Sequence, residues 1–304
     1  MKHALLRRAA GGLAMHLSRI IRFRAVVLAT AFTGLLSIGE SAGEREIFSG
    51  VWEFEFDSRV LGAPRKYSIV VPAAIARREG EWPVLFLLHG RGRTHRSLVD
   101  IESVRAEFLR AEFCTVFPQG DDGWYIDSPV ERSASYEAYF REVIAEADRR
   151  RPLSKLASKR AICGWSMGGY GAVRFAVRYP EDFSVVVSVI GLLDFPRRAD
   201  LPEGQNYTVP VARFGDDSCQ WQAFNPIHAA DALRDHGVLI ITAADAFDRT
   251  MNEHFHARLR ERKVAHEFLV LPGAHTFDVV RAAMPRVIEF VGRHLVQPTS
   301  VRAP

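Results

Sequence analysis

The stretch Ala161-Ile162-Cys163-Gly164-Trp165-Ser166-Met167-Gly168-Gly169-Tyr170-Gly171 passes from an apolar run through a G-x-S-x-G core into a segment with helical spacing. A serine set between glycines at a strand-to-helix junction has a mechanical meaning. The chain must turn sharply there, which strains the serine backbone and leaves no volume for side chains on either side. The apolar strand before it and the helix after it therefore predict a nucleophile elbow. A serine that only caps the helix beginning at Met167 is the alternative reading.

Outward from this point, continuous apolar runs lie at Val84–Leu88, Phe113–Phe117, Ala161–Gly164, Val185–Ile190, Val238–Thr242 and Phe268–Leu271. Such runs suit strands covered on both faces. Helical spacing fills the intervals at Ala134–Arg150, Met167–Tyr179, Arg249–Lys263 and Phe277–Leu295. The alternation predicts an α/β fold with one doubly wound, mostly parallel sheet. Ahead of it, Trp52, Phe54 and Phe56 alternate with Glu53, Glu55 and Asp57, and Lys66–Val71 resumes after Gly62-Ala63-Pro64, the pattern of an antiparallel hairpin. No repeat or linker divides the chain, so a single domain over residues 43–297 is expected, with a disordered tail at 298–304. The irregular, polar stretch Phe195–Asn225 is expected over the carboxyl ends of the strands, where such sheets bind ligands.

A serine hydroxyl is a poor nucleophile at neutral pH and needs an imidazole base oriented by a carboxylate. Among 11 histidines, His275 stands in Leu271-Pro272-Gly273-Ala274-His275-Thr276-Phe277, after the last apolar strand and before the last helix. That is the place of the base in the chain order serine, acid, histidine. The acid must fall between them. Asp245 follows the strand Val238–Thr242 directly and is the preferred candidate; Asp248 reads as a helix-start residue, and Asp194 closes the preceding strand. For the oxyanion, the backbone amides of Met167 and of Arg91, in Leu87-Leu88-His89-Gly90-Arg91-Gly92, are the expected donors. His89 is expected to brace that loop. Trp124 and Tyr125 are candidates to line an acyl pocket, with packing beneath the Phe195–Asn225 loop as the other reading.

Taken together, Leu87-Leu88-His89-Gly90, Trp124-Tyr125-Ile126-Asp127-Ser128-Pro129, the Gly164–Ala172 segment, Ala244-Asp245-Ala246-Phe247 and Gly273-Ala274-His275 resemble the "Putative esterase" group of α/β-hydrolases, over roughly residues 50 to 295. That group includes feruloyl and acetylxylan esterases, S-formylglutathione hydrolases and mycolyltransferases. The resemblance implies catalytic roles for Ser166, Asp245 and His275, no metal or organic cofactor, and a small-molecule or carbohydrate ester as substrate. Hydrolysis through an acyl-enzyme and acyl transfer to a sugar hydroxyl use the same triad, and a non-catalytic binding module on the fold is the rival from another class. The chain departs from the group at Arg91-Gly92-Arg93, which puts two cations near the cleft, and at Thr276-Phe277-Asp278, which lacks the usual tryptophan. The implied strand order also sets Cys114 and Cys163 on opposite sides of the His89 strand, about 9.5 Å apart, beyond the ~7 Å span of a disulfide.

The composition, 48% hydrophobic and 25% charged with 22 Gly and 15 Pro, excludes a disordered, collagen-like or disulfide-scaffold protein. The formal charge of +4 would suggest a nucleic-acid or membrane-surface binder, but its distribution removes that reading. Residues 1–39 hold six basic residues and no acid; the other 34 basic residues face 36 acidic ones, a balance of −2. The basic segment precedes an apolar run from Ala25 to Ile38 and then Gly39, Ser41 and Ala42, the layout of a secretory leader over residues 1–42. The run is short for a bilayer span of about 20 residues, so cleavage rather than anchoring is expected, and Met15 is a second possible start. The mature protein is then secreted or periplasmic, without stable membrane association. N-terminal sequencing of protein exported from a native-like host should find a chain starting between Gly39 and Gly43; one that still begins at Met1 or Met15 refutes cleavage.

Overall fold

The computed structural model describes residues 43–194 and 210–295. The leader, the tail at 298–304 and the first half of the Phe195–Asn225 stretch lie outside the described residues.

In chain order the elements are β1 (Glu44–Phe48), β2 (Val51–Ser58), β3 (Ala63–Val70), α1 (Ala73–Ala76), β4 (Val84–Leu88), α2 (Glu102–Leu109), β5 (Cys114–Pro118), α3 (Tyr136–Arg150), β6 (Arg160–Trp165), α4 (Met167–Arg178), β7 (Val185–Val189), α5 (Val211–Phe214), α6 (Ser218–Trp221), β8 (Gly237–Ala243), α7 (Arg249–Glu261), β9 (Glu267–Leu271) and α8 (Phe277–Leu295). The strands form one sheet in the spatial order β1-β2-β3-β5-β4-β6-β7-β8-β9. From β5 to β9 all pairs are parallel, and β3 joins β5 antiparallel. This is the α/β-hydrolase fold.

The strands β4 to β8 are covered on both faces, as their apolar sequences require. In β4, Phe86 and Leu88 point into one layer with α3, α4 and α7 (Phe140, Val173, Phe255), while Leu85 and Leu87 point into the other with α2 and α8 (Phe108, Val287). The hairpin β2–β3 pairs in continuous register from Val51 with Val70 to Ser58 with Ala63. Elements that the sequence does not predict include β1 and α2. β1 is a polar edge strand, Glu44-Arg45-Glu46, formed by backbone pairing with β2, and α2 is a short helix with only Val104 and Phe108 buried. The described half of the stretch expected to be irregular carries α5 and α6 instead. Cys114 and Cys163 lie on β5 and β6, either side of β4, and are buried free thiols. Among the described residues no helix is long and apolar enough to cross a membrane.

One polar contact ties the loop after β4 to the hairpin. His95, buried, places Nε2 at 3.0 Å from Glu53 Oε2 on β2 and donates its backbone N–H to Gln119 at the end of β5. Burial alone would raise the Glu53 carboxyl, but the His95 hydrogen bond and the charges of Lys66, His95 and Arg45 outweigh it and hold the group at about 2. Because the folded value is depressed, the stabilisation is complete above the unfolded carboxylate range near 4.3 and is lost as pH falls from about 5 toward 2. Thermal melts of the wild type should lose stability across that interval, and Glu53→Gln should flatten the curve there while lowering Tm at pH 7.

Candidate active site

The elbow forms as the glycine spacing demands. Ser166 sits between β6 and α4 with φ 54° and ψ −121°, a left-handed conformation that costs a non-glycine residue of order 1–3 kcal/mol. The strand entering and the helix leaving are in direct contact: a Cβ on Gly164 would meet the Gly168 carbonyl oxygen at 2.1 Å, and one on Gly168 would meet the Leu88 carbonyl oxygen at 2.2 Å. The Ser166 amide is held by the Val189 carbonyl on β7 (3.0 Å), so the side chain is presented above the sheet.

His275 stands in the turn between β9 and α8 with Nε2 at 2.9 Å from Ser166 Oγ. Its Nδ1 lies 2.6 Å from Asp248 Oδ1, and its ring packs against Phe247 at 4.4 Å between centroids. Ser166 and His275 are therefore brought together as the sequence predicted. Asp245, the preferred acid, is not the partner of His275. It is exposed, and its backbone N–H donates to the Gly273 carbonyl (2.8 Å), so it braces the histidine loop through the main chain. The chain leaving β8 first climbs to the surface at Asp245, then turns back at Phe247-Asp248 beneath the imidazole.

Asp248 is fully buried, and each carboxylate oxygen is satisfied: Oδ1 by His275, Oδ2 by the hydroxyl of Thr242 (3.0 Å) and the amide of Asn252 (2.8 Å). The same Asn252 amide donates to the Gly191 carbonyl (2.7 Å), tying α7 to the end of β7. Asp248 does precede α7, as a helix-start residue should, but its side chain makes no capping bond because it is committed to the histidine. Thr242 and Asn252 converge on the carboxylate only through the turn that the chain makes between them. Asp194 is buried but engaged elsewhere, by Asn225 (3.1 Å) and by His254 Nδ1 (2.8 Å).

The oxyanion loop lies against the nucleophile. A Cβ on Gly90 would come within 2.7 Å of Trp165 Nε1 and 3.2 Å of Ser166 Cβ, so only glycine lets the backbone leading to Arg91 approach so closely. Met167 begins α4, where the first amides have no acceptor within the helix. His89 braces the loop. Its Nε2 accepts the Gly120 N–H (2.7 Å), leaving Nδ1–H to donate to the Gly90 carbonyl (2.8 Å), and burial lowers its pKa to about 4, so the ring stays neutral.

Trp124 and Tyr125 are each 1% exposed. Trp124 packs edge-on against Tyr170 and Phe214, and the Tyr125 hydroxyl donates to the His89 carbonyl (3.2 Å). They belong to the packing reading, beneath α5, and not to an exposed acyl wall. Among the described residues no group of three or more His, Cys, Asp or Glu side chains could hold a metal ion.

Comparison with known proteins gives the family and the fold. The model of the esterase family described as "Putative esterase" matches residues 58–289. An esterase of Mycobacterium tuberculosis (strain CDC 1551 / Oshkosh) is 24% identical over 273 residues, covering 78% of this chain and 59% of that protein, so the chain spans about three-fifths of the length of this relative. A solved ferulic acid esterase superposes with a TM-score of 0.69 at 23% identity, over 80% of this chain and 97% of that one. A fluorophosphonate-binding serine hydrolase of Staphylococcus aureus does so with a TM-score of 0.69 at 22% identity, over 79% and 97%.

The two acid candidates separate by mutation. Asp248→Asn should lower kcat on a soluble ester by about 10⁴-fold, the loss seen when a serine triad is left with the wrong imidazole tautomer. Asp245→Asn, which keeps the backbone bond to Gly273, should change it by no more than about twofold. The reverse ranking would refute the assignment.

Proposed function

The chain belongs to the "Putative esterase" family, whose model it matches over residues 58–289, and from that premise we propose that it hydrolyses carboxylic esters through a covalent acyl-serine. The observation that carries the reading is the unbroken relay from Asp248 to His275 to Ser166, at 2.6 and 2.9 Å, ending on a serine held in a strained elbow. Ser166 Oγ attacks the ester carbonyl while His275 Nε2 takes its proton. Asp248 fixes the tautomer through Nδ1–H and stabilises the imidazolium as it forms. The amides of Met167 and Arg91 receive the negative charge that develops on the carbonyl oxygen. His275 then protonates the departing alcohol, and water, deprotonated by the same imidazole, releases the acid and restores Ser166.

The leader in the sequence supports a site of action outside the cytoplasm. The ferulic acid esterase among the structural relatives supports acyl or feruloyl esters of carbohydrates as the substrate class.

A fluorophosphonate probe should add one phosphonyl group to the wild type by intact mass and none to Ser166→Ala. Hydrolysis of a soluble ester should rise with pH along a one-proton curve, because imidazolium cannot act as base. A rate insensitive to pH from about 5 to 9 with chemistry rate-limiting, or one abolished by a chelator and restored by a metal ion, overturns the mechanism.

A further inference from the structure

The sequence places two cations beside the oxyanion loop, and the structure treats them differently. Arg91 turns to Asp122, with Nε 3.2 Å from Oδ2. Arg93 is exposed, and among the described residues no carboxylate lies within ion-pair distance of it. Most arginines around it are matched: Arg96 to Asp100, Arg213 to Glu131 and Arg249 to Glu253. Asp278, the nearest acid in sequence to the histidine loop, is itself paired with Arg281 at 2.5 Å.

Arg93 is nevertheless ordered, and its position bridges the two halves of the site. Its backbone N–H donates to the Gly90 carbonyl (3.2 Å), one turn from the point where the loop touches Ser166. Its guanidinium lies 4.2 Å above the centre of the Phe277 ring. Phe277 is two residues past His275 and leans on Trp165, which precedes the nucleophile, at 6.1 Å. A guanidinium seated over a ring by cation–π attraction still carries N–H donors that can meet an anion. The ring contact restricts the side chain on one side, and partial pre-organisation of a planar cation favours binding of a planar anion.

We propose that Arg93 recognises a carboxylate on the alcohol portion of the substrate, so that the enzyme prefers acyl esters of hydroxy acids or acidic sugars over those of neutral alcohols. The side of the ester follows from the chemistry: His275 delivers its proton to the leaving oxygen, and Arg93 is stacked on the residue just beyond His275. This inference rests on the esterase reading and adds its specificity.

The test compares 4-carboxyphenyl acetate with its neutral isostere 4-carbamoylphenyl acetate, so that the acyl group and the size of the leaving group stay constant. Wild type should favour the carboxylate ester in kcat/KM, and added salt should reduce that preference. Arg93→Gln should raise KM for the carboxylate ester about tenfold with kcat little changed, and should leave the carbamoyl ester within about twofold. Arg93→Lys should restore part of the preference. In the Ser166→Ala background, calorimetric binding of the intact carboxylate ester should weaken by a similar factor on adding Arg93→Gln. Equal kinetics of the two esters in wild type, or equal losses on both in Arg93→Gln, would overturn the proposal while leaving the esterase standing. Retention of hydrolysis in Ser166→Ala would instead overturn the acyl-serine mechanism at Ser166, and the comparison of the two esters in Arg93→Gln would still decide the role of Arg93.

Discussion

The site depends on how closely the backbone entering the elbow passes the backbone leaving it. Gly164 and Gly168 face each other with no room for a methyl group between them, and Gly168 in turn lies on the carbonyl of Leu88 at the end of the neighbouring strand. Three segments thus meet at one point: the nucleophile strand, its helix and the strand that leads to the oxyanion loop. Because interiors are close-packed, this contact fixes Ser166 relative to the amides around it more tightly than any side-chain hydrogen bond could. The strain at Ser166 is sustained by the same contact, since relaxing it would require β6 and α4 to separate.

The polar parts of the site are then anchored to that point from behind. His89 ties the oxyanion loop to Gly120 at the end of β5, and Asp248 joins Thr242 of β8, Asn252 of α7 and His275. Both groups are buried, and burying a polar group without partners costs more than the hydrogen bonds return. Here every bonding atom of the Asp248 carboxylate and of the His89 ring has a partner. Neutral His89 carries no charge to compensate, whereas the Asp248 carboxylate is held by three donors, which suits a group that must remain an anion while an imidazolium forms beside it.

Much of this was legible in the sequence, and where reading failed the reason is physical. Unbroken apolar strands and a 19-residue amphipathic helix at Phe277–Leu295 announce themselves because burial writes a period into the sequence. Ser166 and His275 are visible because glycine-rich turns are needed wherever a side chain must project from the end of a strand. β1 left no such record, since an exposed edge strand is held by main-chain bonds that any residue can make. Asp248 was obscured for a different reason. Its position, one residue before α7, carries the ordinary signature of a capping aspartate, and only the three-dimensional turn at Phe247 shows that the carboxylate leaves the helix amides and reaches His275. Asp245, directly after the strand, has the better linear position and the wrong direction.

The fate of the third acid shows why a single carboxylate serves the histidine. Asp194 follows β7, one strand nearer the nucleophile, and it too is buried and faces an imidazole. Its partners are His254 on α7 and Asn225 at the end of the segment that follows α6, so it joins that segment to α7. A second carboxylate directed at His275 would have to share the same Nδ1–H, and two anions brought to one donor in a dry site raise each other's pKa until one is protonated. Directing Asp194 toward His254 gives each carboxylate its own imidazole. The arrangement therefore uses both acids, one to orient the base and one to join Asn225 to α7, and the tie through Asn252 to the Gly191 carbonyl keeps the two at a fixed spacing.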